Sequence, residues 1–537
     1  MINLKARPCD EAAIAATHGT IDCGRRQKRW VLTASVLAST MAFVDESVVN
    51  VALPRIQIDL GTTLMAMQWV VNAYTLCLSA LLLIGGAAGD LAGRRRMFLV
   101  GVAIFGLASL GCGLAPNAQS LIAARAVQGV GAALLIPCSL AIIGAAFSEK
   151  ERGAAIGIWS GASAIAAGIG PLLGGWLIDH TSWRTIFLIN PLLAIVALWI
   201  GLQRLPESSD PEAPPGLDWR GALLVFAGLG ALVYGLIEAA TLGWRHPLVL
   251  GSSIAGGVLL VAFVFEERRS RRPMMPPELF SSATFSGINL LTLLLYGALG
   301  GAFFFVPFLL IQVHGFSATA TGAAFLPFTL ILGALSRWSG GLVDRVGARG
   351  PLIIGPGIVA LGFGLLAFAS ASPHYWAVLA PMVVLGLGMA ITVAPLTTTV
   401  INAVPARQTG VASGINNAVA SVASLLMIAV LGTVALSALD TSLDRHLASA
   451  QATPEVRTVV DSARGGFVLP TMPPQLQPEE REVATTVIAS AFVDSIRLVM
   501  LIAGALALVS ALSAAFTIRA KVPERAMSGI SGASDRR

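Results

Sequence analysis

Charge is what this chain has least of. Lys, Arg, Asp and Glu make up 12% of its 537 residues, 55% are hydrophobic, and the mean hydropathy is +0.78. A soluble domain carries about a quarter of its residues as charges, so an ordinary soluble fold is excluded and the chain reads as an all-α polytopic membrane protein. Cysteine is scarce too: Cys9 and Cys23 lie in a polar leader, Cys77, Cys112 and Cys138 in apolar segments, and no spacing suggests a metal site. They read as free thiols. The six histidines (His18, His180, His246, His314, His374, His446) fall in the leader or in expected loops. The expected spans therefore hold no metal-ligand set or nucleophile with a base, and an intramembrane enzyme is not expected. The net charge of +6 is assigned to helix ends facing the cytosol and anionic lipid, since no nucleic-acid module is visible.

What is abundant is long apolar runs. A hydrocarbon core roughly 30 Å thick needs about 20 apolar residues per helix, which places spans near 30–52, 65–88, 97–115, 119–146, 153–178 and 183–202. Two more follow near 219–239 and 246–266, and six near 283–312, 318–341, 350–370, 375–400, 408–438 and 490–518, about fourteen in all. The expected organisation is a cytosolic leader 1–29, a six-helix bundle 30–202, a region 203–282 holding a Pro-rich linker and two extra spans, a second six-helix bundle 283–518 with an outer loop 439–484, and a cytosolic tail 519–537. The apolar stretch after Arg25-Arg-Gln-Lys-Arg29 is too long for a cleaved signal and reads as the first span. Most of the 35 lysines and arginines fall on the side of the leader, which predicts that both termini are cytosolic.

One loop occurs twice. Gly86-Gly-Ala-Ala-Gly-Asp-Leu-Ala-Gly-Arg-Arg-Arg-Met97 ends the second span, and Gly340-Gly-Leu-Val-Asp-Arg-Val-Gly-Ala-Arg349 returns in the second half, each with an acid four residues after the first glycine and another glycine three further on. Glycine permits left-handed angles and close helix approach, and Asp can pair with Arg across a helix interface. A single copy would read as a basic cytosolic loop; the duplication points to two related halves.

Charges inside spans are costly and are usually functional or paired, so Asp45, Glu46, Arg125, Glu238 and Arg337 need explaining. Asp45 and Glu46 are adjacent in the first span and point about 100° apart, so they cannot face the same partner; Glu46 shares a face with Asn50. A carboxylate in a low-dielectric cavity binds and releases a proton near neutral pH unless a nearby cation holds it ionised. Arg125, with Gln128 and Gly129 following on its face, is a candidate partner for an acid of the first span. Two readings stand: a pair that a proton breaks, and a structural salt bridge. Which of Asp45 and Glu46 would carry the proton stays open. Glu238 is read as solvated at the outer interface and Arg337 as snorkelling or pairing locally. In the fifth span, Gly161, Gly170, Pro171, Gly174 and Gly175 thin one helix face and remove a backbone hydrogen bond, so that span can pack closely and bend.

Together these residues resemble the major facilitator superfamily, and within it the fourteen-helix drug:proton antiporter family. Gly86, Asp90, Gly93, Arg94 and Arg95 match its signature loop, and Gly340, Asp344, Arg345, Gly347 and Arg349 the second copy. Arg125, Gln128 and Gly129 match a fourth-helix motif, the fifth-span glycines and Pro171 an antiporter motif, and Asp45 with Asn50 to Pro54 a first-helix motif, which Trp183, Arg184, Phe187 and Asn190 accompany. The sequence departs from the pattern at Leu91, Ser47 and the added acid Glu46. The resemblance implies two six-helix bundles rocking about a central cavity, two extra central helices, and multidrug efflux driven by a proton gradient without a cofactor. It assigns Asp45 and Arg125 to proton coupling, the signature loop to stabilising one alternating state, and the fifth-span motif to closing the cytosolic side. The implied partners are lipid, protons and a hydrophobic small molecule, in a monomer of the bacterial cytoplasmic membrane. Lipophilic monocations or neutral amphiphiles are the expected cargo, in a cavity to which Asn50, Trp69, Tyr74, Gln128 and Phe303, Phe304 and Phe305 contribute. An endogenous metabolite or secreted natural product is the alternative cargo, and a non-transporting receptor the remaining one.

Overall fold

The computed structural model describes residues 24–518 apart from 211–215, 271–272, 370–373, 406–407, 451, 469, 471 and 475, and omits the side chains of 149, 150, 337 and 344. The leader to residue 23 and the tail from 519, with Cys9, Cys23 and His18, lie outside the described residues, as do the side chains of Arg337 and Asp344. Among the described residues, fourteen helices are long and apolar enough to cross a membrane, as hydropathy predicts. We number them α1 to α14: Arg25–Asp59, Leu64–Ala92, Arg94–Gly113, Ala118–Ala146, Glu149–His180, Arg184–Arg204, Trp219–Leu242, Pro247–Arg269, Ala283–Phe308, a tenth broken at Phe325 into Ala318–Ala324 and Leu326–Gly340, then Arg349–Ala369, Tyr375–Asn402, Thr409–Ser449 and Pro478–Thr517. The side on which α1 begins is called the inner side, the other the outer.

Local chemistry sets the boundaries. Thr63 caps α2 by accepting from Ala66 N–H, and Asn117 with Ser120 forms a reciprocal capping box on α4. Pro247 and Pro478 start α8 and α14 where a missing N–H costs nothing. Gly93 (φ +105°) and Gly347 (φ +76°) end the duplicated segments in backbone that other residues adopt only with strain.

Helices α1 to α6 form one bundle and α9 to α14 the other. The extra pair α7 and α8 pack on each other where Gly256 meets the backbone of Gly228 and Leu232. Helix α7 then closes the seam between α2 and α13 through Leu76, Leu229, Val233, Leu425 and Ala429.

The last two helices exceed their expected bounds. Helix α13 continues to Ser449 because Leu439, Leu443 and Leu447 recur every fourth residue and stay buried. Helix α14 starts at Pro478, before the apolar run, with a Gln477 and Glu480 capping box. The segment 439–484 therefore holds helix at both ends and a further short helix, Pro454–Ser462, and His446 sits in a helix rather than a loop.

Candidate functional site

The N-terminal bundle buries the ion pair of Asp45 and Arg125. Asp45 of α1 is 2% exposed and Arg125 of α4 is 1% exposed. Arg125 Nη1 donates to Asp45 Oδ2 at 2.5 Å and to Gln128 Oε1 at 2.8 Å, and its Nε donates to the Val70 carbonyl of α2 at 3.2 Å. The other carboxylate oxygen, Oδ1, accepts from Gln128 Nε2 and from Asn190 Nδ2 of α6, both at 2.8 Å. Ser109 of α3 completes the cage, accepting from Asn190 at 2.9 Å and Gln128 at 3.3 Å while donating to the Phe187 carbonyl at 2.9 Å. The Tyr74 ring lies under the guanidinium at 4.2 Å, with Phe187 at 5.9 Å. Gly129 lets α4 come this close: a side chain there would strike the Tyr74 carbonyl and Cys77.

Residues of five helices thus form one network around the carboxylate, which accepts three charge-assisted hydrogen bonds. A proton arriving at Asp45 would cancel the ion pair and turn one acceptor into a donor facing donors. Helix phase separates the two neighbouring acids: Asp45 is enclosed while Glu46, one residue on, is exposed.

Closure is asymmetric along α5. On the outer half, Gly170 faces Ser47 and Gly174 faces Val48 of α1, Gly175 lies against the Ala318 carbonyl of α10, and Gly322 lies against the Pro171 carbonyl. Toward the inner side, Gly168 still meets Thr329, but Gly161, Gly157 and Gly153 have nothing near them, nor has Gly333 on α10. Along α5 and α10 the two halves meet outside and lack such contacts inside, although Gly414 of α13 meets Leu83 of α2 there. The fifth-span glycines, expected to close the cytosolic side, make their contacts on the outer side in this conformation, and Gly161 faces open space.

The duplicated loops perform one job twice. Arg95 Nε and Nη2 donate to the Gly201 and Leu202 carbonyls at the end of α6, at 3.1 and 2.6 Å, and Arg349 Nη2 donates to the Ala515 carbonyl at the end of α14 at 2.8 Å. Each loop fastens the last helix of its own half. Asp90 pairs with Arg94 at 2.7 Å. The linker residue Glu207 takes the Arg95 N–H at 2.9 Å, and its other oxygen lies 3.6 Å from Arg96 Nε. Close packing on α2 comes from Gly85 against the Ala133 carbonyl and Gly89 against Cys138 Sγ, while Gly86 keeps ordinary contact with Pro137 and Gly340 faces open space. Arg345 is exposed.

The remaining expected cavity residues separate. Asn50 and Phe303 are half-buried, and Phe303 packs edge-on with Phe325 and Phe328 of α10 at 5.4 and 5.2 Å. Trp69 instead meets Tyr234 of α7 at 6.5 Å. Tyr74 and Gln128 belong to the ion-pair cage. Phe304 and Phe305 are fully buried among Phe308, Phe467 and each other, filling the second bundle.

Comparison with known proteins fits this architecture. The Major Facilitator Superfamily model matches residues 35–428. Multidrug resistance protein Stp of Mycobacterium tuberculosis is 35% identical over 89% of this chain and 90% of its own length. The tetracenomycin C resistance and export protein of Streptomyces glaucescens is 32% identical over 94% of each chain, and puromycin resistance protein pur8 of Streptomyces alboniger is 36% identical over 83% of this chain and 90% of its own. Among solved structures, a bacterial homologue of the human lysosomal transporter Spinster, in an inward-facing and unoccupied conformation, superimposes with a TM-score of 0.63 at 18% identity, covering 91% of this chain and 98% of that one.

Proposed function

The chain belongs to the major facilitator superfamily as an efflux transporter, and from that premise we propose that it is a proton-coupled antiporter exporting hydrophobic or lipophilic cationic compounds by alternating access. The observation that carries this reading is the caged carboxylate: Asp45 is sealed from solvent and accepts hydrogen bonds from Arg125, Gln128 and Asn190. A structural salt bridge would serve as well with one polar partner. Here three polar side chains converge on a group that one proton would neutralise.

The geometry supports the following cycle. With α5 and α10 joined outside and apart inside, a compound enters from the inner side and meets Glu46, the exposed carboxylate, and the aromatic face of Phe303. The bundles rock, the outer contacts open, and a proton from outside neutralises Asp45. That frees Arg125 from the pair and lets the compound leave. The protonated protein returns inward and releases the proton. Both termini lie in the cytosol, the membrane is the bacterial inner membrane, the working unit is a monomer, and no cofactor takes part.

A secreted natural product is the second cargo reading, favoured by relatives named for export of tetracenomycin C and cephamycin. Efflux from cells lacking their major pumps tests the two together: a fluorescent lipophilic cation and a panel of secreted antibiotics are followed with and without a protonophore. Protonophore-sensitive efflux of the dye supports the multidrug reading. Efflux of one antibiotic alone moves the cargo to the natural product, and protonophore-insensitive efflux of every compound removes proton coupling.

A further inference from the structure

At the outer end of α5 a carboxylate that belongs to no recognised motif crosses from one half of the protein to the other. Asp179 Oδ1 accepts from Ala318 N–H at 3.1 Å, and Oδ2 accepts from Thr319 N–H at 2.8 Å and the Thr319 hydroxyl at 2.6 Å. Asp179 is in the N-terminal bundle, Ala318 and Thr319 in the C-terminal one. Below these bonds the two helices touch backbone to backbone, Gly175 on the Ala318 carbonyl and the Pro171 carbonyl on Gly322. The receiving segment is itself fastened to the C-terminal bundle, because the Tyr375 hydroxyl of α12 donates to the Ala320 carbonyl at 2.9 Å. The contact below Asp179 is van der Waals packing, which weakens steadily as helices part, whereas the three hydrogen bonds are directional and are lost together over about an ångström. Asp179 is also exposed to outer water, so water can replace its partners once it lets go.

We propose that Asp179 is a positioning residue of the transport cycle: its carboxylate latches the outer gate shut, and its release sets how often α5 and α10 part on the outer side. This rests on the alternating-access reading but concerns the gate alone. Substrate and proton need not be known for it to be tested.

Thr329 of α10, which faces Gly168 beneath the latch, reports the gate. In a Thr329→Cys protein whose native cysteines are replaced, reconstituted in liposomes of known orientation, a membrane-impermeant maleimide is added from the outer side. Asp179→Asn keeps the size of the side chain but loses its charge and turns one acceptor into a donor; it is expected to speed labelling by about tenfold, the loss of roughly 1.4 kcal/mol from charge-assisted bonds at an exposed site. Asp179→Glu restores most of the slow rate. Ala318→Pro removes one donor from the opposite side at a first-turn position that accepts proline, and is expected to label faster like Asp179→Asn. Labelling of Asp179→Asn at the parent rate, or of Asp179→Glu as fast as Asp179→Asn, would overturn the latch. Export is measured in parallel: fast labelling without export of any compound by the parent protein keeps the latch and removes the antiporter reading, and unchanged labelling with intact export does the reverse.

Discussion

Replacing Asp45 by Asn should damage the protein more than replacing Arg125 by Gln, and replacing both should repair its stability without repairing its work. In Asp45→Asn the amide nitrogen or oxygen faces Arg125 Nη1, which now sits 1% exposed with no anion. A guanidinium cannot shed its proton, so the full cost of an uncompensated buried charge falls on the fold, about 3–5 kcal/mol. That is two to three and a half decades in the folded to unfolded ratio. In Arg125→Gln the orphan is a carboxylate, which escapes by taking up a proton, so the loss is smaller. The double variant buries no net charge and should regain most of the difference, as neutral replacements of buried pairs do. Thermal unfolding in lipid nanodiscs orders the four proteins, and export of a fluorescent cation from vesicles is measured alongside. A less stable Arg125→Gln than Asp45→Asn, or a double variant that exports at the wild-type rate, would refute this ordering and leave the pair only a scaffold.

Glu207→Gln removes the charge held by the Arg95 N–H and Arg96 and should cost about 1 kcal/mol, in the range of a lost helix-start partner, seen as a small drop in melting temperature; no change would detach the linker from the loop's role. Phe303→Ala should weaken export of aromatic cations severalfold while Trp69→Ala leaves it near wild type, because Trp69 faces α7; equal effects in transport assays would redraw the cavity. Phe467→Ala empties a fully buried site among Phe305, Phe308 and Phe492 and should destabilise by about 3–5 kcal/mol; a loss under 1 kcal/mol in unfolding measurements would mean that the outer segment is not seated there.

Membrane helices announce themselves, because twenty apolar residues in a row have few soluble uses, and the partnership of Asp45 with Arg125 was legible from the cost of placing either in a span. Rotation was harder. Asp45 and Glu46 differ by 100° of helix, and only the packing of α1 against α4 and α6 decides which is sealed. Phe303, Phe304 and Phe305 lie about 100° apart on α9, and Thr292 and Tyr296, which share the face of Phe303, carry the phase that separates them. Ser109 escaped notice although a lone hydroxyl in the apolar third span was a usable signal, and Asn190 stood out only as part of a motif. Glu207 was hidden by its place in a linker, where acids are ordinary. The extension of α13 was readable in Leu439, Leu443 and Leu447, a four-residue period that mean hydropathy averages away. Asp179 had no such mark: an exposed acid at a helix end becomes informative only when the opposite bundle is seen against it.

The central claim is that Asp45 carries the transported proton, and proton flux tests it most directly. Purified protein in liposomes loaded with a pH-sensitive dye is given an inward or outward gradient of an exported cation, with no ionophore present. Wild-type protein should move protons opposite to the cation, and Asp45→Asn should move none while still binding the cation, with Glu46→Gln retaining coupled flux. Coupled proton movement by Asp45→Asn at the wild-type rate would contradict the account.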